Sequence, residues 1–399
     1  MTVTINELTN HTYIDKELSA ALDSTEAFEG PEKLLEIWFY AHSDDIPDTN
    51  VSANKRTLRD IPLDQWVEIL KLVKCEVLSI KSTKQMHAFL LSESSLFIYD
   101  HRLTLKTCGT TTTLLCLERL LDVVQEQLGW KMKTSNSDGK YSPFKVFYSR
   151  RCFMFPLKQR SIHKSWSSEV DYLNQFFSNG RSYLVGRNDQ SNHWNLYVTE
   201  SQPTTTASNH PQNDETLEVL MTGLDPFRAK QFVSNRNIDP TSSSGDEGHL
   251  LGYNITKSTG LDKIYDNRTQ VNFTHDAFAF TPCGYSSNMV LDEQFYYTLH
   301  VTPEKGWSYA SFESNVPVRQ VSNNEQNNCQ VLANVLAVFQ PMEFCLTFFA
   351  KDCNAVSQLT QLIQSMKNYS KRDKIIYDLD DYQLLYMRFE KNESTTTVG

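Results

Sequence analysis

Along the whole chain, short runs recur in which apolar residues alternate with polar ones or β-branched and aromatic residues crowd together. A period of two puts successive side chains on opposite faces of a strand. These runs therefore predict strands at residues 76–81, 88–97, 103–107, 145–149, 182–185, 194–199, 217–221, 277–281, 295–301, 308–313, 344–350 and 383–389. Helical spacing is rarer and predicts helices at 63–74, 113–127, 168–177, 225–232, 327–339 and 356–366. Residues 31–40 also read as a helix, with Pro31 in the first turn and Leu34, Leu35, Trp38 and Phe39 on one side. Strands that follow one another, with helices interspersed but not strictly alternating, predict an α+β fold built on antiparallel sheets.

Polar, turn-rich stretches separate these pieces at 43–55, 133–142, 201–215, 234–248, 320–328 and 392–399. Their even spread reads as one loop-rich body with insertions, not two domains joined by a linker. The expected organisation is an N-terminal extension over 1–26, a single domain over 27–390 and a flexible tail over 391–399. Residues 32–39 and 225–232 both read as short helices near an acidic start, an echo of duplication that carries no inference by itself.

Composition narrows the function classes. Hydrophobic residues make up 40% of the 399, enough for a sizeable core. A formal net charge of −10 argues against a nucleic-acid partner, which needs a basic face. Apolar runs such as Ala277-Phe278-Ala279-Phe280 are far too short to span a membrane. The first residues show neither the basic flank nor the apolar core of a secretory signal, so the expectation is a soluble, cytoplasmic protein. The eight cysteines form no Cys-x-x-Cys pair and none lies near a histidine at zinc-ligand spacing, which reads as reduced thiols with no metal site. No Gly-x-Gly-x-x-Gly or Gly-Lys-Ser/Thr supports a nucleotide-binding fold.

Glu93-Ser94-Ser95, in the strand-like run after Leu91, allows a specific chemistry. Ser94 Oγ can attack the carbonyl of Glu93, turning the amide into an ester. Loss of the Ser94 α-proton then eliminates the ester and leaves a dehydroalanine that hydrolyses to a pyruvoyl group. Such a step needs a constrained backbone, oxyanion donors and a base near the α-carbon. The ordinary reading is a polar strand edge. Cys108, in Lys106-Thr107-Cys108-Gly109-Thr110, reads either as a small buried residue at a strand-to-helix turn or as a thiol acid with a reference pKa of about 8.5. The glycine and the threonines after it are expected to give turn flexibility and helix capping.

Six motifs occur in order: Phe28-Glu29-Gly30-Pro31-Glu32-Lys33-Leu34-Leu35-Glu36, Leu91-Ser92-Glu93-Ser94-Ser95, Lys106-Thr107-Cys108-Gly109-Thr110-Thr111, Phe147-Tyr148-Ser149-Arg150, Pro282-Cys283-Gly284-Tyr285-Ser286 and His300-Val301-Thr302-Pro303-Glu304. The set closely resembles the eukaryotic S-adenosylmethionine decarboxylase proenzymes, from about Phe28 to the Asp381-Tyr382 region. The resemblance implies a four-layer αββα sandwich of two antiparallel β-sheets flanked by helices. It also implies self-cleavage between Glu93 and Ser94, with Ser94 becoming the pyruvoyl cofactor of the large chain. That carbonyl would form a Schiff base with S-adenosylmethionine and act as the electron sink for decarboxylation. The product is the aminopropyl donor for spermidine and spermine.

By the same resemblance His300 is the base for the elimination and Ser286 assists the acyl shift. Cys108 returns a proton to the substrate's α-carbon, a contribution of about 10²–10⁴ in rate. Glu29 and Glu32 are further catalytic carboxylates. Phe28 and Phe280 match the pair that sandwiches adenine, and an aromatic face is worth roughly 0.5–2 kcal/mol to a sulfonium. Glu304 matches the ribose-binding carboxylate, with Leu91 and Glu93 near the adenine. Glu36, Asp214, Thr216, Glu218 and Glu313, with Phe147, Phe349 and Tyr382 around them, match an acidic site for the activator putrescine. Buried carboxylates without cations are costly, so this cluster should attract a diamine. Longer loops at 43–55, 201–213 and 234–270 leave monomer and homodimer both open. Two rival readings compete: a self-cleaving hydrolase with an N-terminal serine nucleophile, and an inactive regulatory relative. Retention of Ser94, Cys108, Ser286 and His300 argues against the second.

Overall fold

The computed structural model describes residues 32–48, 55–92, 94–132, 139–153, 156–187, 193–200, 214–234, 244–265, 273–304, 308–323, 325–363, 366–379 and 381–392. The side chains of 244–246 fall outside that description. The chain forms two compact units, 1–210 and 211–399, each holding one eight-stranded sheet. The expected α+β class, with antiparallel sheets and flanking helices, is what each unit forms.

In the first unit the strands are β1 (Lys33–Trp38), β2 (Val77–Ser82), β3 (Met86–Leu91), β4 (Ser94–Tyr99), β5 (Arg102–Thr107), β6 (Lys145–Arg151), β7 (Gly180–Val185) and β8 (Trp194–Thr199). Their order across the sheet is β2-β3-β4-β5-β1-β6-β8-β7. Helices α1 (Leu63–Val73), α2 (Leu117–Leu128) and α3 (Trp166–Phe176) supply Trp66, Leu70, Leu120, Val124 and Leu173 to a core shared with Leu35, Ile37, Phe89, Ile98 and Leu105 of the strands. These strand residues are spaced by two, so one face of the sheet is apolar and covered by helices.

The second unit contains β9 (Glu215–Thr222), β10 (Phe273–Ala279), β11 (Tyr285–Leu291), β12 (Phe295–Thr302), β13 (Tyr309–Ser314), β14 (Glu343–Ala350), β15 (Tyr369–Leu379) and β16 (Tyr382–Lys391). Their order is β10-β11-β12-β13-β9-β14-β16-β15. Adding eight to each strand number of the first sheet reproduces this order, so the two units share one topology. The repetition lies in the strand order, not in the two short helices compared in the sequence, since residues 33–38 are a strand. Helices α4 (Ser244–Thr259), α5 (Asn328–Phe339) and α6 (Cys353–Leu362) flank this sheet, and Val331, Val335, Val356 and Leu359 pack with Val219, Phe312, Leu346 and Leu385.

Four sequence readings are corrected. Residues 31–40 do not form a helix: Lys33–Trp38 is β1, hydrogen-bonded to β5 on one side and β6 on the other. Its burial alternates, with Lys33, Leu35 and Ile37 inside, and pairing on both edges overrides the Pro31 and helix-face cues. The single strand expected over 88–97 is two, β3 and β4, paired antiparallel with Leu91 opposite Ser94. The polar stretch from 234 contains α4, a sixteen-residue helix whose polar surface hid its pattern. Strands β11 and β15 were not predicted. β11 is buried at all seven positions and so shows no alternation, and β15 is largely exposed, with the charged run Lys371-Arg372-Asp373-Lys374.

Candidate active site

Ser94 is the first residue of β4 and has no exposed surface. It sits opposite Leu91 in the hairpin and opposite Thr107 on β5, and the next residue after Thr107 is Cys108. The register therefore brings the predicted nucleophile beside the strand end that carries the predicted acid. The Sγ of Cys75 donates toward Ser94 Oγ across 3.4 Å. Cys75 lies just after α1, and its role was not visible in the sequence.

Cys108 is buried at the strand-to-turn junction, as expected. Gly109 turns the chain with φ of 63°, a left-handed conformation that costs glycine little. The threonines after it pin the turn and do not supply a helix cap. Thr111 Oγ1 donates to the Cys108 carbonyl at 2.8 Å, Thr112 Oγ1 to the Leu72 carbonyl at 2.6 Å, and the Thr107 and Thr113 hydroxyls meet at 2.6 Å. At the first helical turn, Thr112 makes no side-chain cap.

Lys33 Nζ, fully buried, donates to the Gly109 carbonyl at 2.8 Å and to Gln159 Oε1 at 3.4 Å. Burial lowers its pKa to about 8, against the opposing pull of Glu169 and of the Cys108 and Cys75 thiols. Behind it lies a closed polar cluster. Glu169, with no exposed surface, accepts from Arg150 Nε at 2.6 Å and from the Tyr148 hydroxyl at 2.7 Å, and meets His163 Nδ1 at 2.7 Å. His163 Nε2 accepts from the backbone N–H of Leu114, which ties the cluster to the segment that follows Cys108. Desolvation pushes the His163 pKa down and the Tyr148 pKa well up. Lys33 and Arg150 were inside quoted motifs without a role, and nothing in the sequence marked His163 or Glu169. Glu32 pairs with Lys106 at 2.8 Å, with both side chains buried.

In the second unit Ser286 on β11 and His300 on β12 are cross-strand partners, and Ser286 Oγ lies 2.9 Å from His300 Nδ1. Both are buried on the face opposite the helix-covered core. One row along on that face, Asn288, Thr298, Glu313, Glu218 and Thr347 stand in register across β11, β12, β13, β9 and β14. A buried sheet face lined with serine, threonine, histidine and glutamate is costly unless its polar groups are partnered, which makes it a candidate surface for chemistry. Phe280 follows β10, with its ring 5.0 Å from that of Phe278. Its backbone N–H bonds to the Gly284 carbonyl, and Gly284 takes φ of 116°, which admits no ordinary side chain. Glu304 lies two residues past β12 and is part-exposed.

Each unit assembles its own share of the residues matched to the putrescine site. Glu36 pairs directly with Phe147. Glu313 pairs with Glu218, and Thr216 with Phe349. Phe349 stacks on Tyr382 at 4.5 Å, and the Tyr382 hydroxyl donates to Asp214 at 2.7 Å. Glu36 differs from the expectation of a carboxylate without a cation: Arg102 lies 3.6 Å away, and Trp38 Nε1 donates to it. Phe28, Glu29 and Glu93 lie outside the described residues.

Residues 25–390 match the family model of adenosylmethionine decarboxylase. The chain belongs to the adenosylmethionine decarboxylase family. It is 60% identical to the S-adenosylmethionine decarboxylase proenzyme of Saccharomyces cerevisiae, over 98% of this chain and 100% of that protein. It is 33% identical to the Xenopus laevis proenzyme, over 91% of this chain and 95% of that one. The crystal structure of a Trypanosoma brucei AdoMetDC monomer superposes with a TM-score of 0.51 at 22% identity, covering 74% of this chain and 99% of that one, a likeness of fold. Among the described residues, no helix is long and apolar enough to cross a membrane.

Proposed function

We propose that this S-adenosylmethionine decarboxylase is made as an inactive chain that cuts its own backbone between Glu93 and Ser94 and converts Ser94 into its pyruvoyl group. The observation that carries the reading is the placement of Ser94: fully buried at a tight turn between two paired strands, with the Cys75 thiol on its hydroxyl and the end of β5 beside it. A hydroxyl with no water around it and a fixed backbone is arranged for attack on the preceding carbonyl.

Ser94 Oγ adds to the Glu93 carbonyl and the C–N bond breaks, leaving an ester and a free Ser94 amine. Ser286 assists this acyl shift. His300 then removes the Ser94 α-proton, the Cβ–O bond breaks, and Glu93 leaves as the carboxylate end of a 93-residue small chain. The dehydroalanine takes up water and loses ammonia, leaving a large chain of 399 − 93 = 306 residues. The residues present fit the group, and when formed it supplies a carbonyl that holds the substrate's amine and accepts the electrons released with CO₂.

Cys108, at the fixed Gly109 turn, delivers the proton to the α-carbon. Phe28 and Phe280 hold the adenine from its two faces, Leu91 and Glu93 line its edge, and Glu304 accepts from the ribose hydroxyls. Glu29 and Glu32 complete the carboxylates of the site. Putrescine, a dication, binds the acidic residues Glu36, Asp214, Glu218 and Glu313 with Thr216, Phe147, Phe349 and Tyr382, and stimulates the enzyme. The product feeds spermidine and spermine synthesis in the cytoplasm. Intact-mass measurement of the purified protein tests the reading: two chains, the larger lacking a free N-terminal amine, are expected. A single uncut chain, or decarboxylation by Ser94→Ala, overturns it.

A further inference from the structure

We infer that Gln159 is a positioning residue for Cys108: its side-chain amide locks the peptide after the Cys108–Gly109 turn and so fixes where the thiol stands. The inference rests on Cys108 returning a proton to the substrate's α-carbon, as proposed above. Gln159 lies between two short 3₁₀ turns, Pro156–Lys158 and Ser161–Lys164. Residues 156–158 and Arg160 are exposed, yet Gln159 between them keeps only 1% of its surface. A polar amide turned inward from a surface segment is costly unless both its ends are partnered.

Both ends are partnered, and by groups of opposite character. Gln159 Oε1 accepts from Lys33 Nζ at 3.4 Å, and Gln159 Nε2 donates to the Gly109 carbonyl at 3.3 Å. Lys33 Nζ donates to the same carbonyl at 2.8 Å. The three groups close a ring. An ammonium only donates and a carbonyl only accepts, so the ring also fixes which way the amide faces. The opposite orientation would set amide N–H against ammonium and amide oxygen against carbonyl.

The consequence falls on Cys108. Gly109, with φ of 63°, turns the chain but carries no side chain to hold the turn in place. Lys33 reaches its carbonyl from β1 on a flexible four-carbon stem, so the ammonium fixes a distance better than a direction. The Gln159 amide supplies the second donor, which engages the other lone pair and fixes the plane of the peptide. On the near side of Gly109, the Cys108 carbonyl accepts from Thr111 Oγ1 at 2.8 Å. Four residues past Gln159, His163 Nε2 accepts from the Leu114 N–H at 3.3 Å. The segment 159–163 thus grips the segment 109–114 at both ends. A thiol that delivers a proton to one carbon needs its position set this closely.

The test measures kcat and KM for the processed enzyme and its Gln159→Leu and Gln159→Glu variants, each with and without Cys108→Ala. Leucine removes both contacts, whereas glutamate keeps an acceptor for Lys33 and removes the donor to Gly109. Both variants are expected to lower kcat about tenfold with KM little changed. In the Cys108→Ala background neither should lower kcat further, since the group they act through is gone. Additive losses, or a parent-like kcat in Gln159→Glu, overturn the inference. A second measurement needs no turnover. In the uncut Ser94→Ala chain, amide hydrogen exchange over 109–113, which includes the Thr112 N–H bonded to the Val73 carbonyl, should quicken about tenfold in both variants while β8 is unchanged. Unchanged exchange over 109–113, or equal quickening in β8, overturns the inference as well. A parent-like kcat in Cys108→Ala alone would instead remove the acid role on which the inference rests, so the two failures are distinguishable.

Discussion

The Sγ of Cys75 points its proton at Ser94 Oγ across 3.4 Å, in surroundings from which water is excluded. A thiol is a weak donor, so it orients the serine without competing strongly for the lone pair that attacks in the proposed cleavage. Cys75→Ala should slow self-cleavage, by less than about tenfold, because only one weak contact is lost. Cys75→Ser, a stronger donor of similar size, should retain cleavage. Timed gels of newly made chain read both, and an unchanged rate in Cys75→Ala would remove the orienting role.

Glu169 is the shared acceptor for Arg150, Tyr148 and His163 and has no water to replace them. Glu169→Gln leaves the Arg150 guanidinium buried without its counter-charge and should cost about 3–5 kcal/mol in urea unfolding. Replacing Arg150 and Glu169 together with Met and Leu should cost less than that single change, since no unpaired charge remains.

Lys33 gives stability a distinct pH signature. Its folded pKa of about 8 lies below the ordinary 10.5, so between these values the unfolded chain binds more protons. Stability therefore rises with pH across this window, and the penalty of burying the ammonium is fully present below pH 8. The parent should gain about 3 kcal/mol relative to Lys33→Met between pH 7.5 and 10.5, as read by denaturant unfolding at each pH. A flat difference would show that the buried lysine keeps its ordinary pKa and is charged at no cost.

Putrescine should accelerate CO₂ release by the parent and leave Asp214→Asn and Glu218→Gln unstimulated. Each change removes a negative charge from residues that lie together in the second unit, through the Tyr382 bond to Asp214 and the Glu218–Glu313 pairing. Full stimulation in both variants would exclude these carboxylates as the diamine site.

The candidate site could be proposed from the sequence because its motifs are local. Ser94 is recognisable by the glutamate bonded to it, Cys108 by the glycine and threonines that follow, and His300 by its motif. Strands such as β5, β8 and β14 were legible because one face is apolar and the pattern repeats every two residues. β1 was misread because six residues can satisfy a helical stripe and a strand alternation at once. Only the hydrogen bonds from β5 and β6 choose between them.

By itself the sequence determined the α+β class and the family, and it nominated the candidate reacting groups. These follow from side-chain types at short range and from the order of motifs. The tertiary structure alone decided the partners: Cys75 on Ser94, Lys33 on the Gly109 carbonyl, Glu169 among three donors, Thr298 behind His300. Apart from Thr298 with His300 and His163 with Glu169, these are contacts between residues well separated in the chain, set by sheet register and helix packing. A hydrogen bond is a matter of tenths of an ångström and of which atom holds the proton, and neither is encoded in the spacing of residue types.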